Sequence, residues 1–406
     1  MKILFIHQNY PGQYKHLLPY CAARGHQVLA LGTRPAKQFP PALPYRAYQY
    51  DRSSGNDTDP LALEVESKLI RARSCANAAI QLRDHESFNP DVICVHTGWG
   101  EDLFLPDVWP QSRLIGYCEY YYNNVGFDLG FDPEYCDILP EHLYKTRAKN
   151  ASILVSLQQL AAGVTPTNFQ LSTYPERYRS LIRLIHDGID TDHLRPQPDV
   201  SLQVRGRTLT RADPVVTFVS RSLEPARGFH HFMRSIPHLQ MLKPDAHIVI
   251  VGSTEGGYGA KPEVSFKQQL LQELAGKIDL DRVYFVGRLP YRDFTRVLAL
   301  SSCHVYLTVP FVLSWSLLES MSAGCLVLGS DTAPVREVIT DGVNGMLVDF
   351  FDSSAIAHRI VEALERKRDN DPLRIAARQT VIDRFERRQC LARHHSLIEA
   401  VAHHLI

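Results

Sequence analysis

Apolar and polar residues alternate along the chain in two successive series of buried strands and amphipathic helices. The first series opens with the apolar run Lys2–His7, a short loop and helical spacing over Tyr14–Arg24, which Gly25 ends. Further strands are predicted at Gln27–Leu31, Val92–His96 and Arg113–Cys118, and further helices at Asp59–His85 and at Glu141–Ala162, which Gly163 is predicted to end. Parallel strands joined by helices require a sheet with helices on its faces.

A second series of the same kind begins at Val215–Ser220. Its later strands are predicted at His247–Gly252, Val283–Val286, Val305–Thr308 and Cys325–Gly329. Its helices are predicted after Gly228 to Leu242, at Phe266–Ile278, from Pro290 to Ser301, at Trp315–Ala323, Ser353–Arg368, Pro372–Arg384 and Gln389–Leu405. The fold class predicted from both series is α/β, with two doubly wound, Rossmann-like domains.

Length, charge and cysteine content narrow the class of protein. The 406 residues suffice for two sizeable cores, and the 44 basic and 44 acidic residues cancel, so no global field recruits nucleic acid or an anionic membrane. The eight cysteines form no CxxC pair and indicate a reducing compartment. Met1 leads straight into a strand and no apolar run reaches the length of a membrane span, so we expect a soluble cytoplasmic protein.

The stretch from Val305 to Asp349 carries the most specific chemistry. A strand, a tight loop and a helix predict backbone N–H groups and a helix dipole at Ser314, Trp315 and Ser316, which favour phosphate. Glu319 lies one turn further on, where its carboxylate can accept hydrogen bonds from two ribose hydroxyls. Ser316 and Glu319 also have the spacing of a capping box, and local spacing alone favours neither interpretation.

This stretch resembles the nucleotide-sugar site of glycosyltransferase family 4. The parts that match are Glu319, the small-residue helix end and strand Ala323–Leu328, Pro334–Glu337 and Asp341–Gly345. The family's first acidic position, eight residues before the glutamate, falls here on Phe311. Because that acid lies near the donor sugar in the family, Phe311 leaves the nucleotide half of the pattern intact and puts recognition of the donor sugar in doubt.

The resemblance implies a GT-B fold, in which two Rossmann-like domains face a central cleft. The segment from Leu184 to Pro196 resembles the crossover between such domains. The expected boundaries are an acceptor domain at 1–187, a linker at 188–198 and a donor domain at 199–384. The terminal helix, at 389–406, is expected to pack back on the first domain.

Further donor-site residues follow from the same resemblance. Arg221 and Arg227 flank a strand-to-helix loop, where family members place an arginine and a lysine, and guanidinium groups suit a diphosphate. The turn Gly287, Arg288 and Leu289 is expected to present its backbone to the nucleobase. Gly12 belongs to the first loop, HQNYPGQ, which resembles that of one bacterial branch of the family and faces the donor phosphates there.

Candidate acceptor residues follow the strands of the first domain. His96, Trp99 and Glu101 come after one strand, and parallel sheets bind ligands at this end. A core or capping role for His96 is an equal alternative. Glu119 stands where many family members carry a histidine close to the reacting sugar, and Tyr120 adjoins it; the tyrosines here also suit ordinary packing. The aperiodic segment Phe127–Asp137 is predicted to be an acceptor loop.

These features predict an enzyme, a retaining and metal-independent glycosyltransferase that uses a nucleotide diphosphate sugar such as a UDP- or GDP-sugar and no other cofactor. Its acceptor would be a hydroxyl on a sugar, a lipid-linked group or another molecule, and a lipid would require transient association with a membrane. Asp190 and Asp192 are interpreted as a cap and turn, and the adjacent histidine pairs do not have the spacing of metal ligands on one helix face. The alternatives are a sugar-nucleotide binding module and a GT-B sugar-nucleotide epimerase.

Overall fold

The structure, a computed structural model, describes residues 1–39, 44–135, 138–257, 262–366 and 371–405. The predicted segments Phe127–Asp137 and Ser353–Arg368 and the terminal helix expected at 389–406 extend partly outside the described residues. The chain forms two compact units. The first consists of Met1–Val125, Ile138–Gly188 and Arg388–Ile406, and the second of Gly126–Asp137 and Ile189–Arg387.

A seven-stranded parallel sheet forms the centre of the first unit. Its strands along the chain are β1 (Lys2–Ile6), β2 (Gln27–Gly32), β3 (Tyr45–Ala47), β4 (Val92–His96), β5 (Arg113–Tyr117), β6 (Ala162–Thr165) and β7 (Ile182–Leu184). Their order in the sheet is β3-β2-β1-β4-β5-β6-β7. The order reverses between β1 and β4, so the loops after these two strands diverge and leave a crevice at their carboxyl ends.

Helices flank this sheet. They are α1 (Leu17–Ala22), α2 (Leu63–Glu86), α3 (Leu105–Val108), α4 (Pro140–Gln159), α5 (Asn168–Thr173) and α6 (Glu176–Arg179). All but the short α6 have buried residues. Most of the helix at Arg387–Ala402 also belongs to this unit, with Leu391, Leu397 and Ile398 buried in one of its cores.

The second unit contains a six-stranded parallel sheet and a separate hairpin. The hairpin pairs β8 (Ser201–Val204) with β9 (Arg207–Thr210). The sheet consists of β10 (Val215–Ser222), β11 (His247–Ser253), β12 (Val283–Gly287), β13 (Cys303–Tyr306), β14 (Val327–Ser330) and β15 (Met346–Val348). Their order, β12-β11-β10-β13-β14-β15, reverses between β10 and β13. It is the usual order of a dinucleotide-binding sheet.

Seven helices are described in the second unit. They are α7 (Phe229–Leu242), α8 (Phe266–Glu273), α9 (Tyr291–Leu300), α10 (Trp315–Ser322), α11 (Ala333–Arg336), α12 (Ser353–Glu365) and α13 (Pro372–Phe385). The helix at Arg387–Ala402 is then α14. The central strands are almost wholly buried, as strands covered on both faces must be. The α/β class and the two Rossmann-like sheets are thus as predicted.

Several predicted elements differ from the structure. The helix predicted over Glu141–Ala162 ends at Gln159, and Gly163 lies in β6 instead of ending a helix. A Cβ atom at Gly163 would lie 2.9 Å from the Cys118 sulfur and from an Ile182 side-chain carbon, so close packing explains this glycine. Six strands were not predicted, β3, β6, β7, β8, β9 and β15. All are short, with three or four residues each, too few to show a clear period.

Two segments belong to a different unit from the one expected. The predicted linker at 188–198 is mostly part of the second unit, where Leu194 lies in a core and its carbonyl accepts a hydrogen bond from Arg378. Residues Gly126–Asp137 were expected in the first domain and also belong to the second unit. In both segments, a few apolar or charged side chains contact residues that are distant in sequence. Sequence pattern does not show such contacts, so it did not predict these boundaries.

Candidate active site

A cavity of about 290 Å³ opens at the carboxyl ends of the strands in the second unit. We name it the Glu319 cavity. Its lining combines residues from β10, β11, the turn after β12, and helices α9 and α10: Val219, Ser220, Arg221, Val251, Gly252, Arg288, Leu289, Phe294, Ser314, Trp315, Ser316 and Glu319. Seven of the predicted donor-site residues are therefore brought together at the position where open α/β sheets bind ligands.

Helix α10 is positioned by its own sequence. Ser314 is the N-cap, with its Oγ accepting from the Ser316 N–H at 3.3 Å, and its own N–H donates to the Tyr306 hydroxyl at 2.8 Å. Leu317 and Met321 are fully buried beneath the helix, and Gly324, with φ of +83°, follows it. Ser316 is therefore not the cap that a capping box would require.

Glu319 is held on the cavity wall by a neighbouring helix. Its Oε1 accepts a hydrogen bond of 2.9 Å from the hydroxyl of Tyr291, the first residue of α9. Partial burial and the Glu319 carboxylate both raise the pKa of Tyr291, so the phenol remains a donor at neutral pH. Sequence reasoning missed Tyr291; its position directly after the Gly-Arg-Leu-Pro turn was the available signal.

The two predicted cations are placed differently. Arg221 lines the cavity near the end of β10 and is exposed. Arg227 lies outside that lining; its Nη1 donates to Thr308 Oγ1 at 2.9 Å and to the Val312 carbonyl at 3.0 Å. Arg227 therefore fastens the loop that follows β13. Gly287 also lies outside the lining. Its φ of +69°, which suits glycine, shapes the turn that contains Arg288.

A larger cavity, of about 500 Å³, is lined by the loop after β10 and the start of α8. Its lining includes Glu224, a buried carboxylate that sequence reasoning did not select, together with Gly256 and Gly257. A Cβ atom at Gly257 would lie 2.4 Å from Glu224 Oε2. Its described lining has one cation, Lys267, and contains no arginine and none of the predicted site residues, so the smaller cavity fits a diphosphate better.

The first unit contains a separate polar cluster at the carboxyl ends of β1, β4 and β5. Gly12 adopts φ of +47°, and a Cβ atom there would overlap the His7 ring, with Nε2 only 2.6 Å away. His7 is buried, and burial together with the neighbouring His96 lowers its pKa to about 3. The glycine therefore permits the loop to close over a neutral imidazole.

Glu119 is the exposed end of this cluster. Its Oε2 lies 3.5 Å from His96 Nε2, and its Oε1 accepts from Gln13 Nε2 at 3.4 Å. His96 is buried and its Nδ1 accepts from the Gly98 N–H at 3.0 Å, which is the capping role considered for it. The structure confirms the capping role of His96, and its second nitrogen faces the Glu119 carboxylate.

The other predicted acceptor residues expose less side-chain surface to a ligand than Glu119 does. The Trp99 ring packs 5.4 Å from the His96 ring, and Tyr120 is buried. Glu101 is fully buried and accepts a hydrogen bond from the Tyr48 hydroxyl, so it is not a cleft residue. Burial raises the pKa of Glu101 to about 7.

Sequence profiles of two families match consecutive parts of the chain. The Glycosyl transferase family 4 group matches residues 24–194, and Glycosyl transferases group 1 matches residues 203–380. The chain belongs to glycosyltransferase family 4. This family 4 chain is 30% identical over 227 residues to alpha-maltose-1-phosphate synthase of Mycolicibacterium smegmatis, an alignment of 53% of the chain and 56% of that protein.

A second relative is the phosphatidyl-myo-inositol mannosyltransferase of Mycobacterium leprae. It is 28% identical over 210 residues, which are 50% of this chain and 49% of that protein. The chain thus spans about half the length of the curated relatives it matches.

Solved structures share the fold over nearly the whole chain. HepE of Anabaena, in complex with UDP-glucose, superposes with a TM-score of 0.69 at 15% identity over 98% of this chain and 100% of its own. Sucrose-phosphate synthase of Thermosynechococcus elongatus gives a TM-score of 0.71 at 16% identity over 99% of both chains. At these identities the likeness establishes the GT-B fold alone.

Two features of the family 4 chain concern metals and membranes. The described residues include two groups of potential metal ligands, one formed by Asp132, His230 and His231 and one by His26, His395 and Glu399, and neither lines the Glu319 cavity. No helix in the described ranges combines the length and apolar character needed to cross a membrane.

Proposed function

We propose that the chain transfers a glycosyl unit from a nucleotide diphosphate sugar to an acceptor hydroxyl, with retention of the anomeric configuration and without a catalytic metal. The observation that carries this proposal is the convergence of Glu319, Arg221 and the start of α10 on one cavity at the switch point of the second sheet. Family membership supports the same assignment.

The nucleotide half of the donor is assigned to the Glu319 cavity. The Glu319 carboxylate would accept hydrogen bonds from the two ribose hydroxyls, with Tyr291 fixing the orientation of its Oε1. The turn formed by Gly287, Arg288 and Leu289 would present its backbone to the base. Since Arg288 and Leu289 line the cavity opposite α10, base and ribose would lie between the two elements.

The diphosphate is the leaving group, and its developing negative charge requires positive groups that are already in place. Arg221 and the dipole at the start of α10, from Ser314 to Ser316, would supply them on the cavity wall. Arg227 is the second proposed cation, anchored through Nη1 to the loop after β13. Fixed protein charges of this kind replace the divalent ion that other glycosyl transfers use.

In the proposed reaction the acceptor oxygen bonds to the anomeric carbon on the face from which the diphosphate departs. The bond between that carbon and the phosphate oxygen breaks, and the acceptor proton passes to a phosphate oxygen. In the first unit, Glu119, backed by His96, is proposed to contact the sugar substrates, with Trp99 and Tyr120 behind them.

The donor sugar is the least constrained part of this proposal. Phe311 replaces the family's first acidic residue and is 7% exposed, so it packs into the unit and supplies no carboxylate to the sugar. Candidate donors are UDP- and GDP-sugars, because HepE binds UDP-glucose and one relative is named as GDP-mannose-dependent. Candidate acceptors are sugars, lipid-linked groups and other hydroxyl compounds.

A donor panel tests the proposal. Release of nucleoside diphosphate is measured for UDP-, GDP- and ADP-sugars, with and without acceptors of each class, and products are analysed by mass spectrometry and NMR. Acceptor-dependent release with a product of retained configuration, undiminished by EDTA, is the expected result. Binding without any turnover would identify a binding module, and donor conversion without acceptor would identify an epimerase; either outcome would refute the proposal.

A further inference from the structure

A buried cluster in the second unit combines Asp132, from the segment Gly126–Asp137, with His230 and His231, from the first turn of α7. We name it the His2Asp cluster. His230 Nε2 lies 2.8 Å and His231 Nε2 lies 3.8 Å from Asp132 Oδ2. The three residues are 6%, 1% and 7% exposed. The two histidines do not have the spacing of metal ligands on one helix face. The third potential ligand, the Asp132 carboxylate, comes from a separate segment.

Polar atoms of this cluster lack satisfactory hydrogen bonds. Among the described residues, Asp132 Oδ2, both ring nitrogens of His230 and His231 Nε2 are buried without a hydrogen-bond partner of good geometry. The contact between His230 and Asp132 is short enough for an ion pair, but it leaves the remaining nitrogens unsatisfied. Buried polar groups without partners are costly, so a cluster of them indicates an additional ligand.

Aromatic rings pack against both imidazoles. The Tyr135 ring packs 4.8 Å from His230, the Phe350 ring 5.0 Å from His231 and the Phe351 ring 5.5 Å from His231. Among the described residues, these ring contacts leave both His230 nitrogens and His231 Nε2 without a hydrogen bond. A bound cation, in contrast, would satisfy one carboxylate oxygen and two imidazole nitrogens at once.

We propose that Asp132, His230 and His231 bind a divalent transition-metal ion, of which Zn²⁺ is the best match, and that this ion fastens the described residues 126–135 to α7. Two imidazoles and one carboxylate are a common zinc ligand set, with metal–ligand bonds of about 2.0 to 2.1 Å. A tetrahedral ion with such bonds separates its ligand atoms by about 3.3 Å. The observed 2.8 and 3.8 Å each differ from that separation by about half an ångström, and the three ligand atoms all lie within 4.8 Å of one another.

The test measures metal binding directly and is independent of transferase activity. Metal-free protein, prepared with EDTA, is titrated with Zn²⁺ against a chromophoric chelator, and the bound ion is counted by mass spectrometry. We expect about one tight Zn²⁺ per chain, a raised Tm and, with Co²⁺ in its place, the visible absorption of a tetrahedral site. Absence of tight Zn²⁺ binding or of this Co²⁺ spectrum in the wild-type protein would overturn the proposal.

Variants locate the ion. Asp132→Asn and His231→Gln are expected to lose the bound Zn²⁺, while His238→Gln, an exposed histidine on the same helix, keeps it. His395→Gln tests the second ligand group, which pairs His26 Nε2 with His395 Nε2 at 2.7 Å. Loss of Zn²⁺ in His395→Gln, or its retention in both cluster variants, would contradict the assignment. Circular dichroism verifies that each variant is folded.

Discussion

The Tyr291 hydroxyl donates a 2.9 Å hydrogen bond to Glu319 Oε1, which joins the first turn of α9 to the middle of α10. The two residues are 28 positions apart, and β13 lies between them in the sequence. The bond fixes one oxygen of the carboxylate that borders the Glu319 cavity. In the proposed enzyme, Tyr291 is therefore a positioning residue for the ribose-binding carboxylate.

Replacing Tyr291 with phenylalanine is expected to weaken binding of the nucleoside diphosphate about three- to tenfold. A single hydrogen bond of this kind contributes about 0.5 to 1.5 kcal/mol, and its loss lets the Glu319 side chain rotate. Isothermal titration calorimetry measures the affinity, with Tyr144→Phe, an exposed tyrosine of α4, as control. Equal affinity in wild type and Tyr291→Phe would show that the bond does not orient the ribose site.

Arg221 and Arg227 are expected to differ in what they contribute to stability. Arg221→Ala should lower kcat about 100-fold through lost stabilisation of the leaving group, with little change in Tm. Arg227→Ala should also reduce activity, but it removes the donor to the Val312 carbonyl and should lower the free energy of unfolding by about 1 to 3 kcal/mol.

Steady-state kinetics and denaturant unfolding of both variants test this difference. Arg296→Ala, on the outer side of α9, is the control because its only described ion pair is a loose one of 3.9 Å with Asp293. If Arg221→Ala lost stability and kept its kcat, Arg221 would be a structural residue.

Gly228 is expected to tolerate no side chain. Its φ is +64°, and a Cβ atom would lie 2.4 Å from Leu307 Cβ. Gly276 has a similar φ of +72° with no atom within 4 Å of the added carbon, so it is a matched control. Gly276→Ala should cost about 1 to 2 kcal/mol for its backbone conformation, and Gly228→Ala roughly 2 kcal/mol more for the overlap. Equal costs in urea unfolding would contradict this account.

Glu101 and Asp102 should contribute to the first unit a component of stability that decreases as pH rises from about 4.5 to 7. The buried His7, His186 and His394 act in the opposite direction, because burial lowers their pKa values, so the contribution of Glu101 is measured by comparing a variant with wild type. Burial raises the pKa of Glu101 from 4.5 to about 7 and that of Asp102 from 3.8 to about 6, so the folded state binds protons more tightly than the unfolded state. Protonation of these two carboxyls stabilises the folded state fully below the pKa values of the unfolded chain. This stabilisation is lost as pH rises through the pKa values of the folded state.

The variant Glu101→Gln should therefore reduce this dependence, by up to about 3 kcal/mol, while it keeps an acceptor for the Tyr48 hydroxyl. Urea unfolding at several pH values between 4 and 8 measures the slope. An unchanged slope in Glu101→Gln would show that Glu101 is ionised in the folded protein throughout this range.

The periodicity of the sequence was sufficient to predict the sheets and most of the helices around the site. Helix α10 was predicted to within one residue, because the buried Leu317, Leu318 and Met321 have helical spacing and Gly324 follows it. The meeting of Arg221 with Glu319 follows from strand order, since β10 and β13 are neighbours at the point where that order reverses. Most of the donor-site residues predicted from sequence pattern and family resemblance therefore line one cavity.

Contacts between distant segments could not be predicted in this way. Tyr291 reaches Glu319 by side-chain length and direction, which periodicity does not encode. Asp132 meets His230 because an aperiodic segment packs on α7, although its flanking sequences belong to the other unit. Gly163 has no turn signature of its own; its role depends on neighbouring side chains.

The central claim, that a nucleoside diphosphate binds in the Glu319 cavity, is tested most directly by calorimetric titration of wild type and Glu319→Ala with UDP, GDP and ADP. The control is Glu365→Gln, an exposed residue of α12. We expect Glu319→Ala to lose affinity about 10- to 100-fold for the preferred nucleotide, because two charge-assisted hydrogen bonds to the ribose are lost, with its Tm nearly unchanged. Unchanged affinity accompanied by a lower Tm would contradict the claim and make Glu319 a structural residue of α10.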